Sequence, residues 1–583
     1  MAGADKWTVA RVLDEIAQYV ALSDPNRFKS RAFERAARAV ESLEEDLAAL
    51  VANGALLSTS GIGKAVGAII KELVETGRSR YLDELRKQYP PGIFDLLRVP
   101  GFGLTKIGLV HEKLGIGSLD ELEAAAREGR LAKLRGFGPK TQTKIIEGIE
   151  KARRRESQFL LPIGLEVGER MRERLAKIKT VEDAEITGSV RRRLEVIRNV
   201  NIAISTRNPD KVVEQLQRIV DRFDEIDERT FKGVLRGEMA VMFHLCAPDQ
   251  FGTTIVETTG SREFVDALNQ ASGLGPRASD PPPSEARGPR PEAWPEAWPE
   301  ARTEEEFFKN IGVPFVEPER RESADDLARK KRVKLVQPSD LRGTFHVHTT
   351  FSDGRNTVLE MLTAARDRGF DYVGLSDHSP AAFYAGGLTV ERLRQQHAEI
   401  DEHEREVAPM RVFRGTEADI LPNGSIDYGD EVLSTLDFVV ASVHSRFNMP
   451  KDEMTDRILK ALDDPYVTFL GHLTGRKLLS RDGYSVDFDR IFERAGERGV
   501  CIEINGNPNR LDLDWRHIGR ALEHGVTFVI TPDAHSISEM SHVISGTWVA
   551  RKAGLTAKQI FNTKSVEEVE EWLERRVAAG LYT

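Results

Sequence analysis

The sequence predicts a multidomain chain: an all-α N-terminal part, a mixed α+β middle, and a C-terminal distorted (β/α)7 barrel. Three observations predict the first and the last of these parts. Gly-apolar-Gly triplets recur in the first part, each opening a helix, in STSGIGKAVGAII (58–70), RVPGFGLTKIGLV (98–110) and LRGFGPKTQTKII (134–146). From Thr344 onward short apolar runs alternate with amphipathic helical stretches, the pattern of βα units. Six of those seven runs end in, or lead into, a histidine or a carboxylate.

With 583 residues the chain has room for three or four domains, and 40 % hydrophobic with 30 % charged residues is the balance of a globular protein. No stretch has the apolar length of a membrane span and Met1–Asp14 does not read as a signal peptide, so a cytoplasmic protein without membrane partners is expected. Two cysteines, Cys246 and Cys501, exclude a disulfide framework and a thiolate zinc site. The net charge of −10 excludes a uniformly basic coat, so any DNA contact must come from local basic surfaces and backbone amides.

Residues 1–160 are helical in period. The glycines of the triplets permit a tight hairpin and close backbone approach, while free N–H groups at the following helix start suit a phosphate. Candidate DNA contacts are Gly101, Gly103 and Lys106 in the second hairpin and Gly136, Gly138 and Lys140 in the third.

The C-terminal stretch is organised around GTFHVHTTFSDGR (343–355). On a strand His346 and His348 share a face, and Asp353 can curl back toward them from the turn. Seven strands are expected, at 344–348, 372–376, 411–416, 438–443, 467–471, 500–505 and 527–531. Their ends supply His346, His348, His378, Glu417, His444, His472, Asp533 and His535, joined by Asp353. Six of the chain's thirteen histidines fall there, too many for chance, and in a (β/α) barrel all strand C-termini open on one face. Nine nitrogen and carboxylate ligands exceed one tetrahedral site, so two or three ions are implied, with Glu417 or Asp533 bridging. Imidazole with carboxylate suits zinc, manganese or iron and not calcium.

HVHTTFSDGR, SDHS, GTEADI, SVHS, GHLTGR and PDAH resemble the PHP (polymerase and histidinol phosphatase) domain in the form carried by bacterial family X DNA polymerases, and the resemblance covers nearly the whole chain. It implies that all nine residues are metal ligands of a Mn²⁺ or Zn²⁺ phosphoesterase, with Glu417, Asp533 and His378 taking the catalytic part. The triplets are similar to helix-hairpin-helix elements, which grip the DNA backbone without reading sequence. Ile69 stands where lyase-active relatives carry a Schiff-base lysine, with Lys64 and Lys71 only nearby.

The middle, ITGSVRRRLEVIRNVNIAIST (186–206), is similar to the family X nucleotidyltransferase palm. The resemblance implies a triphosphate cradle at Gly188, Ser189 and Arg192. Where the family has its three carboxylates this chain has Asn199, Asn201 and Met242, so the charge needed to hold Mg²⁺ at the palm is missing. The expected segments are a helical DNA-binding domain (1–160), a degenerate palm with the start of the thumb (161–271), a Pro-rich linker (272–302), a thumb tail (303–340) and the PHP domain (341–583). RKKR (329–332) reads as a solvated linker.

The expected function is a metal-dependent DNA phosphodiesterase, a 3′–5′ exonuclease with 3′-end or abasic-site processing in base excision repair. Its polymerase activity is lost, its substrates are gapped, nicked or 3′-ended DNA, and it is a monomer. The rivals are a gap-filling polymerase with a PHP nuclease and a non-catalytic DNA-binding scaffold; a small-molecule phosphatase is disfavoured by the hairpins.

Overall fold

A computed structural model describes residues 6–576 except 24–27, 42, 44–46, 60, 100, 135, 156, 235–238, 273–297 and 328–331. The chain divides into two compact units, Met1–Glu156 and Ser157–Thr583.

The first unit is helical among its described residues, and the three triplets fold alike. In each, a short 3-10 turn (Ala55–Ser58, Ile93–Arg98, Arg130–Lys133) leads through the hairpin into a longer helix (Lys64–Thr76, Leu104–Leu114, Pro139–Arg155). The middle residue of each triplet, Ile62, Phe102 or Phe137, is buried and plugs the hairpin from below. Its N–H donates to the carbonyl three residues earlier, at 3.2, 3.0 and 3.2 Å, which closes the turn. Phe102 and Phe137 meet edge to face, 6.0 Å apart, so the second and third hairpins share one core with Ile107, Leu122 and Ile149.

The second unit begins with the strands β1 (Phe159–Leu160), β2 (Asp183–Thr187), β3 (Val196–Ile197), β4 (Asn199–Ser205), β5 (Arg222–Glu225), β6 (Thr230–Val234) and β7 (Ala240–Cys246). Five form a sheet in the order β2-β4-β7-β6-β5, with β4 and β7 parallel and the other pairs antiparallel. Alternation makes this sheet: Val200, Ile202 and Ile204 of β4 are buried beside Val241 and Phe243 of β7. The segment from Trp298 to Leu327 packs on the helices Phe251–Thr259 and Arg262–Ala271 through Phe307 and Phe308. Its fully buried Arg321 bonds to Glu304, whose carboxylate also receives Arg191 at 2.8 and 2.6 Å.

The barrel strands are β8 (Gly343–Val347), β9 (Tyr372–Leu375), β10 (Arg411–Asp419), β11 (Phe438–Ser442), β12 (Phe469–Leu470), β13 (Cys501–Asn505) and β14 (Phe528–Thr531). All seven expected strands are present and parallel, in sequential order. Val347 and Ala534 bridge the two ends, with His348 N–H donating to the Ala534 carbonyl at 2.9 Å, so the barrel is nearly closed. Its floor is aromatic: Phe345 lies 5.0 Å from both Phe438 and Phe469 and 5.9 Å from Phe561. Gly415 must be glycine, because a Cβ there would sit 2.5 Å from the Phe438 ring. With the floor sealed, polar chemistry is confined to the upper end.

Palm and barrel are joined within this unit. Arg516 pairs with Glu195 at 2.6 Å and Arg193 covers the Trp548 ring at 4.6 Å. Buried Lys552 donates to Glu322 at 2.5 Å and to the Arg192 carbonyl at 3.0 Å.

Candidate metal centre and nucleic-acid interface

The upper ends of the barrel strands bring all nine expected ligands together. They form four overlapping groups, and within each group one ligand atom per residue lies within 4.8 Å of the others. Glu417 is the hub. Its carboxylate lies 2.9 Å from His378 Nδ1, 3.0 Å from His472 Nε2, and 3.3 Å from both His346 Nε2 and His444 Nε2. Asp533 Oδ1 stands 3.6 Å from His346 Nε2 and from His348 Nε2, and Asp353 Oδ1 lies 3.5 and 3.3 Å from His378 and His535.

The backbone that achieves this departs from plain strand alternation. β8 changes register against β9 between Thr344 and Val347, and His346 lies in the left-handed region with φ 62°. Asp533 shares that conformation, with φ 50°. Each such residue costs about 1–3 kcal/mol, a strain concentrated where the donor atoms converge. The H-x-H pair faces the site, with imidazole centroids 5.2 Å apart, because of this irregularity.

Whether ions fit can be judged from the donor atoms. His346 and His348 are wholly buried and Glu417 nearly so, yet His346 Nε2, both nitrogens of His348, His378 Nδ1, His472 Nδ1 and Glu417 Oε1 make no well-formed hydrogen bond. Buried polar atoms are seldom left so. An imidazole-rich set with shared carboxylates suits zinc, manganese or iron, so the residues fit the expected ions.

Charge is arranged to match. Burial opposes ionisation of Glu417 and Asp533, but the surrounding imidazoles, joined by Arg510 at Asp533, hold both well below the usual carboxylate range. Asp353, despite burial, falls to about 2 through its bond to His535. Burial, with His535 and His378 beside it, drives His348 down to about 3. Burial is outweighed by carboxylates at His444 and His535, both raised to about 9, and at His346, raised well above the ordinary imidazole value by Glu503, Glu417 and Asp533.

Further acids and amides set around the ligands were not singled out from sequence. Glu503 on β13 accepts from His346 at Nδ1 and from Thr531 Oγ1 at 2.5 Å, which fixes the imidazole so that Nε2 points into the site. Asp419 lies 3.3 Å from His444 Nδ1, and Asn505 donates to Asp533 at 3.0 Å. Asp377 accepts from the N–H groups of Thr349 and Ser352 at 2.9 and 3.1 Å, anchoring the loop that carries Asp353. The available signal was an acid inside an apolar run, as in CIEIN, or two residues after a ligand on one strand, as in Glu417 and Asp419. Glu503→Gln is expected to weaken manganese or zinc binding about 10- to 100-fold, read by competition with a fluorescent chelator. Unchanged affinity would contradict the role given to Glu503.

Seven of the nine candidate ligands line a cavity of about 480 Å³, which Lys477, Arg481, Asn507 and Arg510 also line. Arg510 faces this space, 3.2 Å from Asp533. Arg476 bonds instead to Asp514 and to the carbonyls of Arg510 and Leu511, a structural position.

At the hairpins, Gly101 and Gly136 have φ of 75° and 92°, which glycine alone adopts without strain. Gly103 and Gly138 open the next helices, and a Cβ on either would meet no protein atom. Their backbones therefore face open space. Lys106 reaches back to the Gly101 carbonyl at 2.8 Å, setting its ammonium beside the hairpin. The side chain of Lys140 lies outside the described residues, as do Arg329, Lys330 and Lys331 of RKKR. Arg332 pairs with Glu317 at 2.9 Å and covers Phe315.

In the palm the three positions read as lost carboxylates are adjacent. Asn201 stands opposite Met242 between β4 and β7, and its amide donates to Asn199 Oδ1 at 3.0 Å while its oxygen lies 3.0 Å from His244 Nε2. Gly188 and Ser189 start the short helix beside them, since a Cβ on Gly188 would sit 2.5 Å from the Asn201 amide. Arg192 is occupied elsewhere, bonded to Glu322 at 2.9 Å and to the Thr259 carbonyl at 2.6 Å.

Comparison with known proteins agrees with this organisation. The PHP domain model matches residues 344–507, a helix-hairpin-helix domain model matches 5–79, and a SAM-like helix-hairpin-helix tandem matches 93–151. The "DNA polymerase/3′-5′ exonuclease PolX" of Bacillus subtilis (strain 168) is 34 % identical over 576 residues, covering 98 % of this chain and 99 % of that protein. A "probable phosphatase" of Caldanaerobacter subterraneus subsp. tengcongensis is 27 % identical over 271 residues, 43 % of this chain and 98 % of that protein. One from Clostridium acetobutylicum is 31 % identical over 206 residues, 33 % and 77 % of the two chains. A nine-donor PHP barrel, paired hairpins and a full-length relative together place the chain in the bacterial family X DNA polymerases that carry a C-terminal PHP domain.

Proposed function

We propose that the barrel is the working centre of this chain: a manganese- or zinc-dependent phosphodiesterase that removes nucleotides from DNA 3′ ends in repair. The polymerase centre is silent. The observation that carries this reading is the convergence of nine donors with bare, buried nitrogens, set against amides and a thioether in the palm. The 3′–5′ polarity rests on the printed name of the Bacillus relative. Among the described residues no helix is long and apolar enough to cross a membrane, and a monomer working in the cytoplasm is our reading.

Nine residues would hold the ions: His346, His348, Asp353, His378, Glu417, His444, His472, Asp533 and His535. Bound ions of this kind lower the pKa of a water and offset charge on a phosphate under attack. Glu417 and Asp533 stay ionised and serve as anchors shared between donor groups. His378 lines the cavity between Asp353 and Glu417 and belongs to two donor groups, so it would help hold the ions beside the phosphate. Arg510, Lys477 and Arg481 give the same cavity the positive charge that a phosphodiester requires.

The hairpins supply the DNA grip. In Gly103→Val with Gly138→Val the added Cβ atoms meet no protein atom, while each isopropyl group stands where a phosphate must approach the backbone. The apparent KM for DNA is expected to rise about tenfold and the salt dependence of binding to become shallower, while turnover of a small phosphodiester stays the same. Equal losses on DNA and on the small substrate would place the grip elsewhere.

The reading as a whole is tested on 5′-labelled single-stranded, gapped and abasic DNA. A manganese-dependent ladder of shortened products is expected, absent with EDTA; uncut DNA at full metal loading would overturn it.

A further inference from the structure

The loop after His378, SPAAFYAGGL (379–388), holds no metal donor, yet it is firmly built. Leu388 N–H donates to the His378 carbonyl at 2.7 Å, Gly387 N–H to Ala382 at 3.2 Å, and Ala381 N–H to the Asp427 carboxylate at 2.6 Å. Gly387 lies so close to Ser379 that a Cβ would fall 2.0 Å from its carbonyl oxygen. Ala382 and Ala385 are buried as the feet of the loop.

Between those feet stand Phe383 and Tyr384, 84 % and 63 % exposed. Phe383 is the most exposed large apolar side chain among the described residues, and the two rings meet edge to face, 5.9 Å apart. Single exposed apolar residues are ordinary, but two adjacent aromatics on a pre-formed turn are not. Their place decides what they fit. Tyr384 lines the metal-site cavity together with Arg510, Lys477, Arg481 and Phe447, so the aromatic pair continues a surface that already offers cations to a phosphate. Cations beside exposed rings are the combination that holds single-stranded nucleic acid, because every base has a π face.

We propose that Phe383 and Tyr384 are a stacking platform for the terminal base of the strand being cut, so that cleavage depends on the π face of that base. This rests on the phosphodiesterase reading above.

The test uses 5′-labelled single strands whose 3′-terminal nucleotide carries a base or a stable abasic analogue, together with strands ending in fluorescent 2-aminopurine. The wild-type chain is expected to favour the base-bearing end in kcat/KM by about tenfold or more, and to quench 2-aminopurine on binding. In Phe383→Ala with Tyr384→Ala the preference should collapse toward one and the quenching should vanish. Tyr384→Phe and Phe383→Trp should keep both. A preference retained by the double alanine variant, or equal loss on both substrates with quenching intact, would overturn the proposal. Quenching by a wild-type chain that cuts neither strand would leave the platform standing and refute the phosphodiesterase reading instead.

Discussion

Replacing His346 and His348 together by alanine, or Asp533 alone, is expected to reduce DNA hydrolysis by roughly a thousandfold or more, since ions in such sites contribute several kcal/mol at the transition state. The geometry explains why single ligands matter so much. His346 belongs to two donor groups and touches both shared carboxylates, so its loss disturbs more than one ion position. Asp533 receives Asn505, Arg510 and three imidazoles, and its loss takes from all of them the carboxylate they share. Metal content by mass spectrometry should fall with activity, and the helical content by circular dichroism should stay within about a tenth of the wild-type value. Turnover within about threefold of wild type at unchanged metal content would show that the chemistry lies elsewhere.

Templated nucleotide addition is expected to be absent, or at least roughly a thousandfold below a relative with intact carboxylates, because electrostatic stabilisation of the transferring phosphoryl group is the main catalytic contribution. Asn199 and Asn201 bond to each other and Met242 lies opposite Asn201, so the place where two Mg²⁺ ions would sit offers no anionic oxygen from these three side chains. A second obstacle is Arg192. Its guanidinium bonds to Glu322 and the Thr259 carbonyl, and Glu322 is also held by Lys552 of the barrel, so the arginine expected at a triphosphate belongs to the joint between palm and barrel. Asn199→Asp, Asn201→Asp and Met242→Asp together should therefore restore magnesium binding, measured calorimetrically, more fully than primer extension. Extension of a gapped primer by the unaltered chain at a rate typical of the family would refute this account of the palm.

What was legible in the sequence was legible for physical reasons. Barrel strands buried on both faces read as apolar runs, and a ligand at the end of such a run is conspicuous, so His378, His444 and His472 could be placed without coordinates. The hairpins announced themselves because a buried residue between two glycines repeats at Ile62, Phe102 and Phe137. Strand limits were less visible. β10 runs on to Asp419, so Glu417 lies within a strand, and β12 contracts to two residues, because pairing with neighbours and not local propensity sets those ends. His346 was expected to face the site by alternation and does so through a register shift with positive φ, a conformation that only the surrounding packing can impose. Glu503 was hidden, and Arg192 was assigned to a triphosphate, for a similar reason. Each acts through partners distant in sequence, His346 for one and Glu322 for the other.

The claim at the centre of this account is that the barrel cuts DNA and the palm does not build it. One measurement addresses both halves: a 5′-labelled primer on a gapped template, incubated with manganese and all four deoxynucleoside triphosphates, using the wild-type chain and Asp533→Ala in parallel. The account predicts a ladder of shortened primers with the wild-type chain, an unchanged primer with Asp533→Ala, and no extended product with either. Extended primers in either reaction, or an equal ladder in both, would contradict it.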